Sequence, residues 1–176
     1  MATHQHGIAQ IAEMKAAWRD AGRDPATLNA IGTIAGCVLR EGEAYDSPRV
    51  KAQAGPHATL ALHSLAEAAE FGDINRPIPP HLATLVAEYK KIYASYEPAD
   101  AKYLANHRGH LMFLRPEEQA LCTGELIRGA TFTAHRHELR DRIRALADAG
   151  FKHVGIHIRH GQPEMLEDWA DVFELV

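Results

Sequence analysis

Cysteine is scarce in this chain: Cys37 and Cys122 are the only two among 176 residues. With no signal-like start, so few thiols point to a reducing, cytoplasmic setting rather than an oxidising one. Nor does any apolar run approach the roughly 20 residues of a membrane span, which argues against membrane insertion. There is no excess of basic charge either. A formal net charge of −4 offers no basic face for nucleic acid. Internal repeats and low-complexity tracts are absent as well. His-Glu-x-x-His does not occur, and no carboxylates stand in ligand register beside the histidines, so no metal site is expected. What remains is a chain long enough to bury a sizeable core as one domain spanning residues 1–176.

Its patterning is a mixture of helical and strand signals. Ile8, Ile11, Ala12, Lys15 and Trp18 place a helix near Gly7 to Ala21, ended by Gly22. The run from Asn29 to Leu39 is nearly continuous in apolar residues, as a buried parallel strand requires, and it should hide Cys37 as a small hydrophobe. Ser47 and Pro48 read as N-cap and first helical residue. Gly55-Pro56 should break or kink that helix before a second run through Leu60, Leu65 and Ala69. After a loop from Phe71 to Pro80, a long helix carries Leu82, Leu85, Val86, Tyr89, Ile92, Tyr93 and Tyr96 on one side. The tyrosine stripe reads as packing.

The last third is the most informative part. Ala130 to Ala134 is β-rich, and His137 to Ala149 carries Leu139, Ile143, Leu146 and Ala147 at helical spacing, with Gly150 as a left-handed cap. His153 to Ile158 is another strand, and Met165, Leu166, Trp169, Val172 and Phe173 stripe a closing helix. Strands near 30–39, 129–134 and 153–158 are therefore expected, the last two parallel and joined by a crossover helix. Strand–helix–strand–helix is the repeating unit of a (β/α) barrel. A complete barrel takes about 250 residues and eight strands, so about three parallel strands are only part of one. Such a sheet leaves edges and a face exposed, and the expectation is a fragment, half of a split barrel, or a self-associating chain.

The segment His107-Arg-Gly-His-Leu-Met-Phe-Leu-Arg-Pro-Glu-Glu118 resembles the C-terminal half of luciferase-like flavin-dependent oxidoreductases. So do Glu125-Leu-Ile-Arg128 and the run from Glu138 to Gly150. That group includes bacterial luciferase and the methylene-tetrahydromethanopterin reductases. Asp46 to Pro56, with Leu62 and His63, is also similar to it. The resemblance implies an α/β fold, a partial (β/α)8 TIM barrel whose three strands are the sixth to eighth, with a helical insertion over about 47–125. It further implies a flavin-dependent oxidoreductase or monooxygenase using FMN or a deazaflavin coenzyme, the flavin reduced by NAD(P)H, acting on a small molecule. The alternative is a non-catalytic truncated homologue that oligomerises or binds a partner. A homo-oligomer or a complementary barrel half is the expected partner.

Among the 12 histidines, His107 and His110 stand out, because Arg108 and Gly109 lie between them. The imidazoles titrate near neutrality, the guanidinium is a planar fork for an anion or carbonyl, and the glycine lets backbone approach a ligand. His107, Arg108 and His110 are thus the catalytic candidates, able to bond a reduced flavin or a substrate oxyanion and to shuttle a proton. Thr3, His4 and Gly7 open a helix whose amides could hold a phosphate, which in the resembling family is that of the flavin. Strand ends add Arg40, Glu41, His135, Arg159 and His160, since barrels place their chemistry at the C-terminal face. Ala134-His135 departs from the Gly-Thr or Gly-Ser pair that caps the next helix in that family.

Overall fold

Thr3 starts the first helix of the computed structural model, which describes residues 3–176 apart from Ala69, Ile74, Asn75 and Leu175. The Thr3 hydroxyl accepts from the His6 amide at 3.2 Å, so α1 spans His4–Asp20 and begins three residues before the apolar stripe. The stripe marks the buried face, not the cap. The expected strand over 30–39 is two short ones, β1 (Ala30–Ile34) and β2 (Val38–Leu39). Between them the backbone runs against Phe132. A Cβ on Gly36 would lie 2.3 Å from the Phe132 carbonyl carbon, so only glycine permits that approach.

Ser47 caps α2 (Pro48–Ala58), its hydroxyl accepting from the Val50 amide at 3.2 Å, with Pro48 at the first position as expected. Gly55-Pro56 does not end this helix. It runs on to Ala58, and α3 (Leu60–Glu67) follows after Thr59, so the interruption falls three residues beyond Pro56. Ala69, expected in this second run, lies outside the described residues, as do Ile74 and Asn75 of the loop that follows. Then come α4 (Ala83–Ala94), α5 (Lys102–Asn106) and α6 (Gly124–Ala130). α6 takes the first residues of the expected 129–134 strand, because Thr123 caps it and the Thr131 hydroxyl bonds back to the Ile127 carbonyl at 2.7 Å. Only β3 (Ala134–His135) is left as strand. α7 (Arg136–Ala149) ends at Gly150 with φ 115°, the left-handed cap read from the sequence. β4 (Phe151–Ile156) and α8 (Met165–Phe173) complete the chain.

Among the described residues the fold is α/β with two parallel two-stranded sheets and no closed barrel. β1 pairs with β4, Ile31 opposite His153 and Ile34 opposite Ile156, while β2 pairs with β3, Val38 opposite Ala134. The two strands joined by α7 do not pair with each other. Each takes a different part of the 30–39 run, because that run is interrupted at 35–37. Two large apolar cores result, beside a small cluster of Ile11, Leu28 and Ala30 that seats α1. Ile34, Phe132, Leu139, Ile143, Met165 and Trp169 pack the strands against α7 and α8, with Val154 and Ile156 beside them. Val50, Leu62, Val86, Tyr89, Cys122 and Ile127 form a second core among the helices between β2 and β3. The face of β1 and β4 turned away from α7 and α8 is bare: Thr33, His153 and Gly155 are exposed, and Ile31 is 64% exposed.

His135 is the N-cap of α7 and makes no side-chain capping bond. Replacing it with serine would create a capping box with Glu138, three residues on. His135→Ser is expected to stabilise the fold by about 1 kcal/mol, read calorimetrically as a Tm rise of about 2–4 °C. An unchanged or lower Tm would mean that His135 holds α7 in another way.

Candidate functional site

α3 presents His63 and Glu67 one turn apart, both buried on the face that meets the 106–118 segment. Glu118, 1% exposed, is the deepest acceptor of the resulting network. It lies 2.5 Å from His63 Nε2 and accepts from Arg115 Nη2 at 2.5 Å, from the Arg115 amide at 3.0 Å and from the Tyr89 hydroxyl at 3.2 Å. The Tyr89 hydroxyl also accepts from Arg115 Nη2 at 2.5 Å and reaches Asn106 Oδ1 at 2.6 Å. Asn106 Nδ2 in turn donates to Glu67 at 2.8 Å, and His107 Nε2 sits 3.1 Å from both Glu67 oxygens.

His110 completes the set. Its ring stacks on His107 with centroids 4.7 Å apart and 16° between planes, and its Nδ1 is 3.4 Å from His63 Nδ1. With its Nε2–H directed at Glu118, the His63 ring can accept at Nδ1 from His110. That tautomer lines up a hydrogen-bonded path from His110 through His63 to Glu118. His107, with 46% of its side chain exposed, stands at the solvent end, stacked on His110.

Electrostatics keeps the deepest pair, Glu118 and Arg115, charged. Burial would raise the Glu118 carboxyl, but bonds from His63 and Arg115 outweigh it and bring it down to about 2. Burial also opposes the Arg115 charge, yet the Glu118 bond raises its pKa. The Tyr89 hydroxyl is pushed up, chiefly by burial. His110 is lowered, first by burial and then by His107 and His63.

The expected catalytic residues divide. His107 and His110 are joined in this network, whereas Arg108 is exposed, its amide donating to the Ala105 carbonyl at 3.2 Å and its side chain making no hydrogen bond or ion pair among the described residues. Gly109 has φ 72°, and a Cβ there would meet the Phe113 ring at 2.3 Å, so the glycine serves its own turn rather than the approach of a ligand. Thr3, His4 and Gly7 sit apart at the start of α1. The Thr3 hydroxyl is already occupied by the His6 amide, Gly7 is buried, and His4 is lowered by burial and then by Arg142 of α7. Arg40, Glu41 and His135 line a polar cavity of about 380 Å³ beyond the ends of β2 and β3, together with Asp168 and Asp171.

Sequence reading missed His63, Glu67, Tyr89, Asn106 and Arg115. The signal was there in part, since two titratable residues four apart on an otherwise apolar helix need buried partners. Among the described residues, no group of three or more His, Cys, Asp or Glu could hold a metal ion, and no helix is long and apolar enough to cross a membrane. Comparison of the chain with protein-family models, with curated proteins and with solved structures gave no match.

Glu118 is the only carboxylate within salt-bridge distance of both His63 and Arg115 among the described residues. Glu118→Gln leaves the buried Arg115 guanidinium only the more distant Glu117 carboxylate, at 3.7 Å, and is expected to destabilise the protein by about 3 kcal/mol. Its carboxylate is depressed from 4.5 to about 2, so its contribution is full above pH 4.5 and is lost as pH falls toward 2. Urea unfolding of both proteins should show their stability gap narrowing below pH 4.5. A gap that stays constant down to pH 3 would contradict this assignment.

Proposed function

We propose that this chain supplies part of the wall and active site of a luciferase-like flavin-dependent oxidoreductase or monooxygenase, built on a partial (β/α)8 barrel. One observation carries the reading. Leaving the C-terminal end of β4, Arg159 donates from Nη1 to the Leu111 carbonyl, fastening the His107–Leu111 turn, with its histidine relay, over the end of a parallel strand. Ligands of α/β sheets and barrels bind at that end. Helical cover on one face of β1 and β4, with the other bare, also fits a barrel wall better than a doubly covered sheet.

The groups present fit one side of a flavin site. His107 and His110 supply donors and a proton path, and the cavity beside Arg40 and His135 supplies polar surface at the neighbouring strand ends. That cavity, at about 380 Å³, lies near the lower end of the range for cofactor pockets. FMN or a deazaflavin would be enclosed only once further strands provide the opposite wall. When bound, that group supplies the hydride or oxygen chemistry. The residues of this chain orient it, exclude water along Tyr89 and Glu118, and move a proton between His110 and His63. Thr3, His4 and Gly7 would reach its phosphate only through main-chain amides, since the Thr3 hydroxyl caps α1. The partner in this reading is a second copy or a complementary barrel half, seated on the face that exposes Ile31, and the substrate is a small molecule.

The alternative is a non-catalytic module that uses the same bare face to oligomerise. Titration with FMN and with a deazaflavin, followed by fluorescence, separates the two. Weak, saturable binding by the assembled protein supports the oxidoreductase reading, and its complete absence refutes it. Either reading requires association. Sedimentation at micromolar concentration is expected to show a dimer or larger species, and a compact monomer with a sharp melting transition would overturn it. Arg108 has no structural partner to lose, so Arg108→Ala should leave Tm within about 1 °C, a surface change being worth about 0.5 kcal/mol or less. Turnover by the complete assembly should fall at least tenfold, about 1.4 kcal/mol of transition-state stabilisation. Unchanged turnover would remove Arg108 from the site.

A further inference from the structure

Three arginines are drawn into the interior, Arg115 within the helical layer and Arg49 and Arg159 between it and the strands, and the first two are neutralised. Arg115 meets Glu118 at 2.5 Å, and Arg49 pairs with Glu43 and with Asp168, the latter at 3.1 Å. Arg159 is different. It is 2% exposed, and no carboxylate stands within ion-pair distance of it among the described residues. Its Nε donates to the Gln53 carbonyl at 3.0 Å, and its Nη1 donates to the Leu111 carbonyl and lies 3.3 Å from His157 Nδ1. Its Nη2 is buried with no partner.

A second orphan belongs to the same neighbourhood. His57 Nδ1 is buried and unpartnered. Burial first, and then the Arg159 charge, pull the His57 imidazole down to about 4, and burial alone pulls Arg159 to about 10. The other charges felt by His57 include His157 and His110, which add no negative charge. Carbonyl dipoles satisfy two Arg159 nitrogens but do not cancel a full charge, and burying an uncompensated cation is strongly unfavourable. Each orphan nitrogen can donate to an anionic oxygen.

We propose that Arg159 and His57 form the floor of a binding site for a small oxyanion, the phosphate or carboxylate group of a ligand, just beyond the C-terminal end of β4. Arg159 Nη2 donates to one oxygen, and His57, in its Nδ1–H tautomer, donates to another. His57, His110 and His157 are each half-buried, and His157 Nδ1 lies 3.3 Å from Arg159 Nη1. Leu111, whose carbonyl holds the guanidinium, has φ 61°, an uncommon conformation for a γ-branched residue. The oxyanion site does not depend on the oxidoreductase reading. A ligand anchored here by its anion would lie beside His110, where the proton relay begins.

The test is thermal melting and calorimetric titration of the full chain with inorganic phosphate, and in parallel with acetate, against sodium chloride of equal ionic strength and with no flavin present. Saturable stabilisation by phosphate, by acetate or by both is expected, and the tighter binder identifies the anion class. Arg159→Met should weaken binding at least tenfold. Because the variant also frees the Gln53 and Leu111 carbonyls, the anion-dependent shift in its melting, and not its melting in chloride, is the readout. His57→Phe should weaken binding without abolishing it, and it provides the readout should Arg159→Met fail to fold. Equal melting in all three salts would overturn the proposal, as would undiminished binding by both variants. Failure of flavin binding leaves these outcomes untouched.

Discussion

The polar seam between the two apolar cores fixes the geometry of everything else in this molecule. Apolar contact is non-directional and would let the helical layer slide over the strands. Arg49 prevents that by donating to the Val38 carbonyl at 2.8 Å and to Asp168 at 3.1 Å, which ties α2 to β2 and α8 together. Gln53 adds a bond to Glu164 at 3.0 Å, and Arg159 ties the end of β4 to the Gln53 and Leu111 carbonyls. Directional bonds at buried points set the register of one layer on the other. They also decide which loop stands over the strand ends.

The loop so placed carries a network whose members depend on one another. Glu118, Arg115, Tyr89, Asn106 and Glu67 form an unbroken chain of hydrogen bonds, and such a chain is stable only while every member is satisfied. It is closed at Glu118, which is sealed from water, and open at His107, which is half exposed. An imidazole at the surface is thereby connected to a carboxylate in the interior. The structural and chemical roles of these residues are inseparable for that reason. The seam differs from the network in one respect: Arg159 Nη2 is buried without a hydrogen-bond partner, and no carboxylate lies within ion-pair distance of Arg159 among the described residues.

The bare face of β1 and β4 is a constraint of another kind. Alternation along β1 buries Ala30, Gly32 and Ile34 while turning Ile31 and Thr33 outward, and β4 follows in register. Every helix that covers these strands does so from the side of Ile34, Val154 and Ile156. A sheet with one face packed and short parallel strands has little edge or area of its own to stabilise it. Association through that face would bury Ile31 and complete the layer.

Sequence by itself determined the elements whose causes are local. The Ser47-Pro48 start, the stripe of α7 with its Gly150 stop, the burial of Cys37 and the parallel α/β character follow from caps, periodicity and apolar runs, which act over a few residues. His107 and His110 were also legible as a chemically unusual pair. Tertiary structure alone decided the rest, because the deciding contacts are distant in the chain. Phe132 packed against Gly36 splits the 30–39 run into two strands, and each half then takes a different partner. His63 and Glu67 become part of the site only when Asn106, His107 and Glu118 arrive some forty or more residues later to bond them. Arg108, which the motif favours, is left in solvent, and Arg159, which the motif does not contain, is buried at the centre. Spacing reveals which residues can do chemistry, but burial and partner geometry, fixed by long-range packing, select those that are placed to do it.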